Sequence, residues 1–187
     1  MRRGARRRME SVEGTAVESY FLGFDPVSLD ERFDVASAQR RLDELADERS
    51  TAALAEKIGL LRVTGRPEEA HTVATEALMQ ARLAGDRAPL CRVKVARAQL
   101  LRDEGKHEQA IHELSDSIVE ASSSGWFGIV ADARRQRALV RIALGEYDSA
   151  REDLSEALAV LVRDNASPRE IDVTMYLVGA LLDRTGG

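Results

Sequence analysis

Histidines are the first candidates for chemistry, because residues 107–112 read HEQAIH. The zinc-binding H-E-x-x-H motif needs its two histidines four residues apart, on one face of a helix. Here they are five apart, which separates them by about 140° around a helix. His71 and the single cysteine, Cys91, lie far from this run. The spacing therefore predicts neither a metal site nor a Cys–His pair.

Other catalytic patterns are missing as well. The sequence has no G-x-G-x-x-G and no P-loop, so it offers no cradle for a nucleotide phosphate. Acidic pairs such as Asp103/Glu104 and Glu152/Asp153 are adjacent, so on a helix they diverge, and we interpret them as solvated surface. We expect no catalytic residues, no cofactor and no enzyme activity.

Composition sets the broad class. The 187 residues are 44% apolar and 32% charged, which predicts one soluble domain or one repeat array. The net charge of −5 gives no general attraction to nucleic acid, and no apolar run is long enough for a membrane span. A lone cysteine favours a reducing, cytoplasmic location. Only three of the 27 basic residues are lysines, which hints at a GC-rich bacterial genome.

A fixed period dominates the rest of the chain. Three glycines recur at intervals of 40 residues, each followed five positions later by an alanine and twelve positions later by another small residue. A period of this size indicates stacked supersecondary units. The glycines are Gly65, Gly105 and Gly145; the alanines are Ala70, Ala110 and Ala150; the later small residues are Ala77, Ser117 and Ala157.

Each unit is predicted to be a helix, a glycine turn and a second helix. Apolar residues after each glycine are spaced by three and four, which places them on one helical face. The glycine itself suits the left-handed residue that often ends a helix. Pro67 follows the first glycine, where the first turn of a helix tolerates proline.

This pattern resembles the tetratricopeptide repeat family, in the long form with about 40 residues per unit. Ala98 and Ala138 also match the family's small residue seven positions before the glycine, and the resemblance runs from Ser50 to the C-terminus. It implies an all-α, right-handed solenoid of antiparallel helical hairpins, with about three repeats, an N-terminal cap and a C-terminal helix. The predicted repeats cover residues 50–86, 87–125 and 126–164, and the final helix covers 168–184.

The chain departs from the family at one recurring position. Eight residues before each glycine the family usually has an apolar side chain, whereas this chain has Lys57, Arg97 and Arg137. Arg134 and Arg141 occupy two further positions that are usually apolar.

The resemblance also implies a concave groove lined by the first helix of each repeat. Its arginines predict binding of an acidic peptide or a C-terminal carboxylate, since guanidinium groups bind carboxylates in a bidentate way. Alternatively, these arginines pair within the array with Glu113, Asp116, Glu120 and Glu156. The predicted groove residues are Arg62, Arg92, Val95, Gln99, Arg102, Arg135 and Leu139.

The N-terminal part falls into two segments. Residues 1–18 are predicted to be a disordered, Arg-rich tail, and an arm on nucleic acid or anionic lipid is the alternative. Residues 19–49 are predicted to be a capping segment and a helix. Phe21, Phe24 and Phe33 make this segment too apolar to stay in water, so it covers an end of the array or lies in the groove.

The last helix is apolar over more than half of its circumference, which is unusual for a terminal helix. We expect it either to pair with its copy in a homodimer or to receive the Phe-rich segment; continuation into a longer array is the alternative. The predicted self-interface is Val173, Tyr176, Leu177, Ala180 and Leu181.

The sequence thus favours a protein–protein interaction scaffold that binds a protein or peptide segment. The alternative is a sensor that binds a short signalling peptide and acts on a separate DNA-binding partner. A nucleic-acid ligand is not expected.

Overall fold

The computed structural model describes residues 20–186, so the predicted tail of residues 1–18 lies outside the described part. Within these residues the chain forms eight helices and one antiparallel pair of strands. The strands are β1 (Phe21–Phe24) and β2 (Glu31–Phe33); the helices are α1 (Val35–Glu44), α2 (Thr51–Val63), α3 (Pro67–Ala84), α4 (Arg87–Asp103), α5 (His107–Ser124), α6 (Phe127–Ala143), α7 (Tyr147–Arg163) and α8 (Pro168–Thr185).

Left-handed residues separate the helices from α2 to α8 at intervals of 20. Five of these positions are glycines with φ between 71° and 76°, and the sixth is Asn165, with φ 52°. Glycine has no Cβ to clash in this conformation, and asparagine is among the residues that tolerate it best. The glycines are Gly65, Gly85, Gly105, Gly125 and Gly145.

Consecutive helices pack in pairs, and the first helix of each pair also contacts its equivalent in the next, as α2 does with α4 and α4 with α6. The periodic alanines are completely buried between the helices. Their small side chains let the helices approach closely. The prediction of an all-α helical-repeat solenoid is therefore confirmed, with the short β1–β2 hairpin added to it.

The charged residues at the recurring position have partners inside the fold. Arg97 donates to the carboxylate of Glu113 through Nε and Nη2. Arg137 binds Asp153, with 2.6 Å between Nη2 and Oδ1. Each acid lies 16 residues after its arginine, so the same ion pair joins the two helices of repeats two and three. The arginine stems pack between the helices while their heads reach this acid.

Lys57, at the equivalent position of repeat one, has no acid to pair with, because Val73 stands where repeats two and three have the acid. Its Nζ donates to the carbonyl oxygens of Ala46 at 3.0 Å and Glu48 at 2.7 Å, in the loop after α1. The buried ammonium therefore ties α1 to the first repeat.

One interpretation of the acidic pairs is wrong. Asp153 is not solvated surface: its side chain is 1% exposed and lies among three arginines of α6. Its oxygens lie 3.1 Å from Arg134 Nη1, 2.6 Å from Arg137 Nη2 and 2.8 Å from Arg141 Nη1. Helix α7 turns this side chain inward, and the arginines compensate its charge.

None of the helices within residues 20–186 is both long and apolar enough to cross a membrane.

Candidate functional site

The N-terminal hairpin, residues 20–34, lies against the first helices of the repeats and α8. We call the surface formed by α2, α4, α6 and α8 the groove. At its centre the carboxylate of Glu31 accepts hydrogen bonds from Arg102 Nη2 at 2.7 Å, Arg62 Nη2 at 3.1 Å and Gln136 Nε2 at 3.4 Å. These three donors come from α4, α2 and α6, so one side chain bridges three repeats.

This carboxylate stays ionised although it is only 10% exposed. Burial alone would raise the pKa of Glu31, but the charges of Arg102 and Arg62 outweigh burial and hold that pKa at about 2. Conversely, burial would lower the pKa of Arg102, and Glu31 together with Asp103 raises it above its ordinary value. Glu31 and Arg102 are therefore both charged at neutral pH.

Arg62 has further partners. Its Nη1 donates to Asp103 Oδ2 at 2.9 Å, and its guanidinium carbon lies 5.2 Å from the centre of the Phe33 ring. Stacking on an aromatic face and a fork of donors are both characteristic of arginine. The guanidinium is thereby held against the hairpin by both its charge and the Phe33 ring.

We call the three donors to Glu31, namely Arg62, Arg102 and Gln136, the anion site. An apolar pocket lies beside it. Leu29, which is 3% exposed, packs in one cluster with Leu139 and Ile142 of α6 and Leu177 and Leu181 of α8. Its backbone has φ 64°, in the left-handed region that costs a leucine roughly 1–2 kcal/mol. The local conformation is strained, and the buried side chain offsets that strain.

Helix α8 holds the outer parts of the hairpin. The ring of Tyr176 stacks on Phe24 with centroids 5.9 Å apart and planes 6° apart. Arg169 Nη2 donates to the carbonyl oxygen of Phe21 at 3.0 Å, and Arg184 donates to that of Val27. The expectation of an end cap therefore needs correction for residues 20–34: the hairpin crosses the groove because the arginines and the apolar pocket that fit it lie there.

The hairpin does not fill the groove. A cavity of about 440 Å³ remains beside Glu31, between the hairpin and the C-terminal ends of α4, α6 and α8. His107 contributes to its wall, and the Nδ1 atom of this histidine is buried without a hydrogen-bond partner among the described residues. The other polar side chains on the wall are Ser28, Asp30, Glu31, Arg102, Asp103 and Arg184.

Three of the seven predicted groove residues contact the hairpin: Arg62 and Arg102 through Glu31, and Leu139 through Leu29. The others do not come together at this site. Val95 is buried in the core of repeat two, Arg92 is exposed and Gln99 is half-buried. Arg135 pairs with Asp132 on its own helix, at 2.8 Å.

The alternative partners of the groove arginines bind other residues. Glu113 binds Arg97, Asp116 binds Lys94, Glu120 binds Arg87 and Glu156 binds Arg134. The acids that Arg62 and Arg102 do bind are Glu31 and Asp103.

The sequence predicts neither Glu31 nor its partner Gln136 as residues of this site. A signal for Glu31 exists: it alternates with Phe33 along a strand, so the two side chains share a face. An apolar partner on that face indicates that it points inward. For Gln136 we find no comparable signal.

The predicted self-interface is only partly accessible. Leu177 and Leu181 are 0% exposed and belong to the core that receives Leu29. Val173 and Ala180 are half-buried, and Tyr176 stacks on Phe24. Helix α8 thus receives the Phe-rich segment, the second of the two outcomes expected for it.

Nothing among the described residues resembles a metal centre, since no three His, Cys, Asp or Glu side chains are grouped to hold an ion. Cys91 is buried, and burial raises the pKa of its thiol, which disfavours the nucleophilic thiolate.

No protein-family model matches the chain, and no curated protein matches it. Several solved structures are similar in fold, and two of them illustrate the likeness. One is a Rap protein complexed with competence and sporulation factor (TM-score 0.69, 15% identity over 81% of this chain). The other is BtubC (BKLC) from P. vanneervenii (TM-score 0.64, 19% identity over 81% of this chain).

The chain spans 43% of that Rap chain and 65% of BtubC. At these identities the likeness shows the fold alone. It supports a TPR-like helical-repeat fold.

Proposed function

We propose that this chain is a non-catalytic tetratricopeptide-repeat protein that binds a protein or peptide segment in its groove. One observation carries the proposal: three helices of the groove jointly bind a carboxylate on an extended segment, that of Glu31. A surface that accommodates a segment of its own chain in this way has the chemistry to accommodate another.

The charges and shape of the groove support this function. Arginine binds carboxylates in a fork, and an apolar pocket beside it selects the neighbouring side chain. The cavity of about 440 Å³ beside Glu31 leaves room for further ligand atoms. We place the protein in a bacterial cytoplasm, where its lone cysteine stays reduced.

A sensor is the second candidate, favoured by the likeness to the Rap protein in its complex with competence and sporulation factor. In this form the groove binds a short signalling peptide, and the change acts on a separate DNA-binding partner. Such a ligand should raise the melting temperature, because it binds only the folded chain.

Selection from a displayed random peptide library tests the main proposal. Peptides enriched on a Glu31→Gln chain, whose own hairpin competes less, should bind the same chain carrying Arg62→Ala at least tenfold more weakly, because one of the two arginines that bind the carboxylate is lost. The matched control is Arg87→Ala, which removes an arginine from an exposed ion pair with Glu120. In the same Glu31→Gln background it should leave the affinity for the peptides unchanged.

Failure to enrich any peptide, or equal binding to both variants, would contradict the proposal. Circular dichroism of the Arg62→Ala variant distinguishes loss of the site from loss of the fold.

A further inference from the structure

We infer that the groove selects segments with an aliphatic residue two positions before a glutamate, and that Leu29-Asp30-Glu31 is an intramolecular copy of such a ligand. This inference rests on the proposed function and names its ligand class. Two subsites carry it: the anion site of Arg62, Arg102 and Gln136, and the apolar pocket that holds Leu29.

The charge balance of the anion site requires a carboxylate. Arg62 and Arg102 are 10% and 14% exposed, and two acids, Glu31 and Asp103, neutralise them. A segment that covers these arginines without a carboxylate leaves one uncompensated, largely buried positive charge, which is costly. A ligand that displaces the hairpin must therefore bring a negative group of its own.

The apolar pocket defines the second requirement. Leucine and isoleucine side chains from α6 and α8 form it, and the side chain of Leu29 fills it. An aliphatic side chain regains the contacts that Leu29 gives up, whereas a phosphate or sugar does not. The pairing of this pocket with the anion site thus favours a peptide over a nucleic acid.

Several features make the hairpin replaceable. Leu29 adopts a left-handed backbone conformation that an extended peptide need not adopt. Leu22 and Val27 are apolar yet largely exposed, so the hairpin does not bury all of its apolar surface. A two-stranded hairpin is only marginally stable by itself. The docked hairpin therefore binds the groove less tightly than an unstrained peptide with the same two side chains would.

Competition between the tethered and a free copy tests the inference. The probe is a fluorescent peptide of residues 20–34, and anisotropy gives its Kd for the full chain. A tethered segment acts at an effective concentration in the millimolar range. The wild type should therefore bind the probe weakly, and Glu31→Gln, which weakens the tethered copy, should bind it at least tenfold more tightly.

Two controls make the result specific. Asp30→Asn in the full chain removes the neighbouring, exposed carboxylate and should bind the probe as the wild type does. A probe carrying Glu31→Gln, and another carrying Leu29→Ser, should each lose at least tenfold in affinity for the Glu31→Gln chain.

Equal affinity of the wild type and Glu31→Gln for the probe, or indifference to both changes in the probe, would overturn the inference. If Glu31→Gln fails to fold, Leu29→Ala in the full chain replaces it, with the same expected gain. Library peptides that depend on Arg62 but lack the aliphatic-x-Glu pattern would refute this ligand class and leave the proposed function standing. Absence of any Arg62-dependent peptide would refute both.

Discussion

Asp153 and Glu156 both pair with Arg134, but Asp153 is buried and Glu156 is exposed to solvent. The side chain of Asp153 is 1% exposed and that of Glu156 is 58% exposed. Removing a buried carboxylate leaves its arginines without their counter-charge, so Asp153→Asn should lower the free energy of unfolding by about 3 kcal/mol. Glu156→Gln should cost less than about 1 kcal/mol, because water screens that pair. Urea unfolding measures both, and similar losses would contradict the assignment of the buried cluster.

Gly105 is a second residue whose role can be isolated. Its φ is 73° and a Cβ added there would touch nothing within 4 Å, so only backbone conformation opposes a side chain. Gly105→Ala should therefore destabilise the fold by about 1 kcal/mol. Gly179, in the middle of α8, has equal space but no positive φ. There alanine should stabilise by about 0.5–1 kcal/mol, since glycine is a poor helix former. Thermal unfolding of the two variants should show midpoint shifts of opposite sign.

At the scale of elements, docking of the hairpin should depend on pH through Glu31. Its folded pKa of about 2 lies below the ordinary value of 4.5, so its contribution is complete above about pH 4.5. The contribution is lost as the pH falls toward 2. We expect Glu31→Gln to be less stable than the wild type at pH 7, by on the order of 3 kcal/mol, and the two to converge near pH 2.

Urea titrations at several pH values provide this comparison. Asp30→Asn is the control, because it removes a carboxylate of the same hairpin and should keep the wild-type profile. A difference between Glu31→Gln and the wild type that stays constant from pH 7 to pH 2 would exclude the proposed ion pairs.

The elements differ in how far the sequence predicts them. The solenoid follows from local rules, because the 40-residue period, the small residues and the turn glycines each act within one unit. The position of the hairpin does not follow from such local rules. Its Glu31 binds Arg62, Arg102 and Gln136, which lie 31, 71 and 105 positions later in the chain. The end cap and the groove were both compatible with three phenylalanines near the N-terminus.

The candidate site shows the same division. Arg62 and Arg102 follow from the repeat pattern, whereas their partner depends on how a non-repeating segment folds back. Leu177 and Leu181 are predicted from the sequence to belong to a self-interface, whereas in the structure they are completely buried. Side chains of α6 and α7 and Leu29 of the hairpin share their cluster. Periodicity carries no information about the part that Leu29 contributes.

For the whole molecule, the homodimer remains a prediction that now depends on a smaller surface. Met175, Tyr176 and Leu182 are the large apolar residues of α8 that stay exposed. If this face joins two chains, light scattering should give twice the chain mass of 20.6 kDa. Met175→Glu with Leu182→Glu should then yield a folded monomer, because neither residue belongs to the buried core. A wild-type mass of one chain would contradict the dimer.

The position of the hairpin also bears on the order of events during synthesis. Residues 20–34 leave the ribosome before any repeat, yet Phe21 contacts Arg169 and Val27 contacts Arg184, which follow 148 and 157 residues later. Repeats can fold one after another as they emerge, since each needs only its neighbour. Complete docking of the hairpin must wait for α8, so a nascent chain presents an incompletely covered groove until that helix has been made.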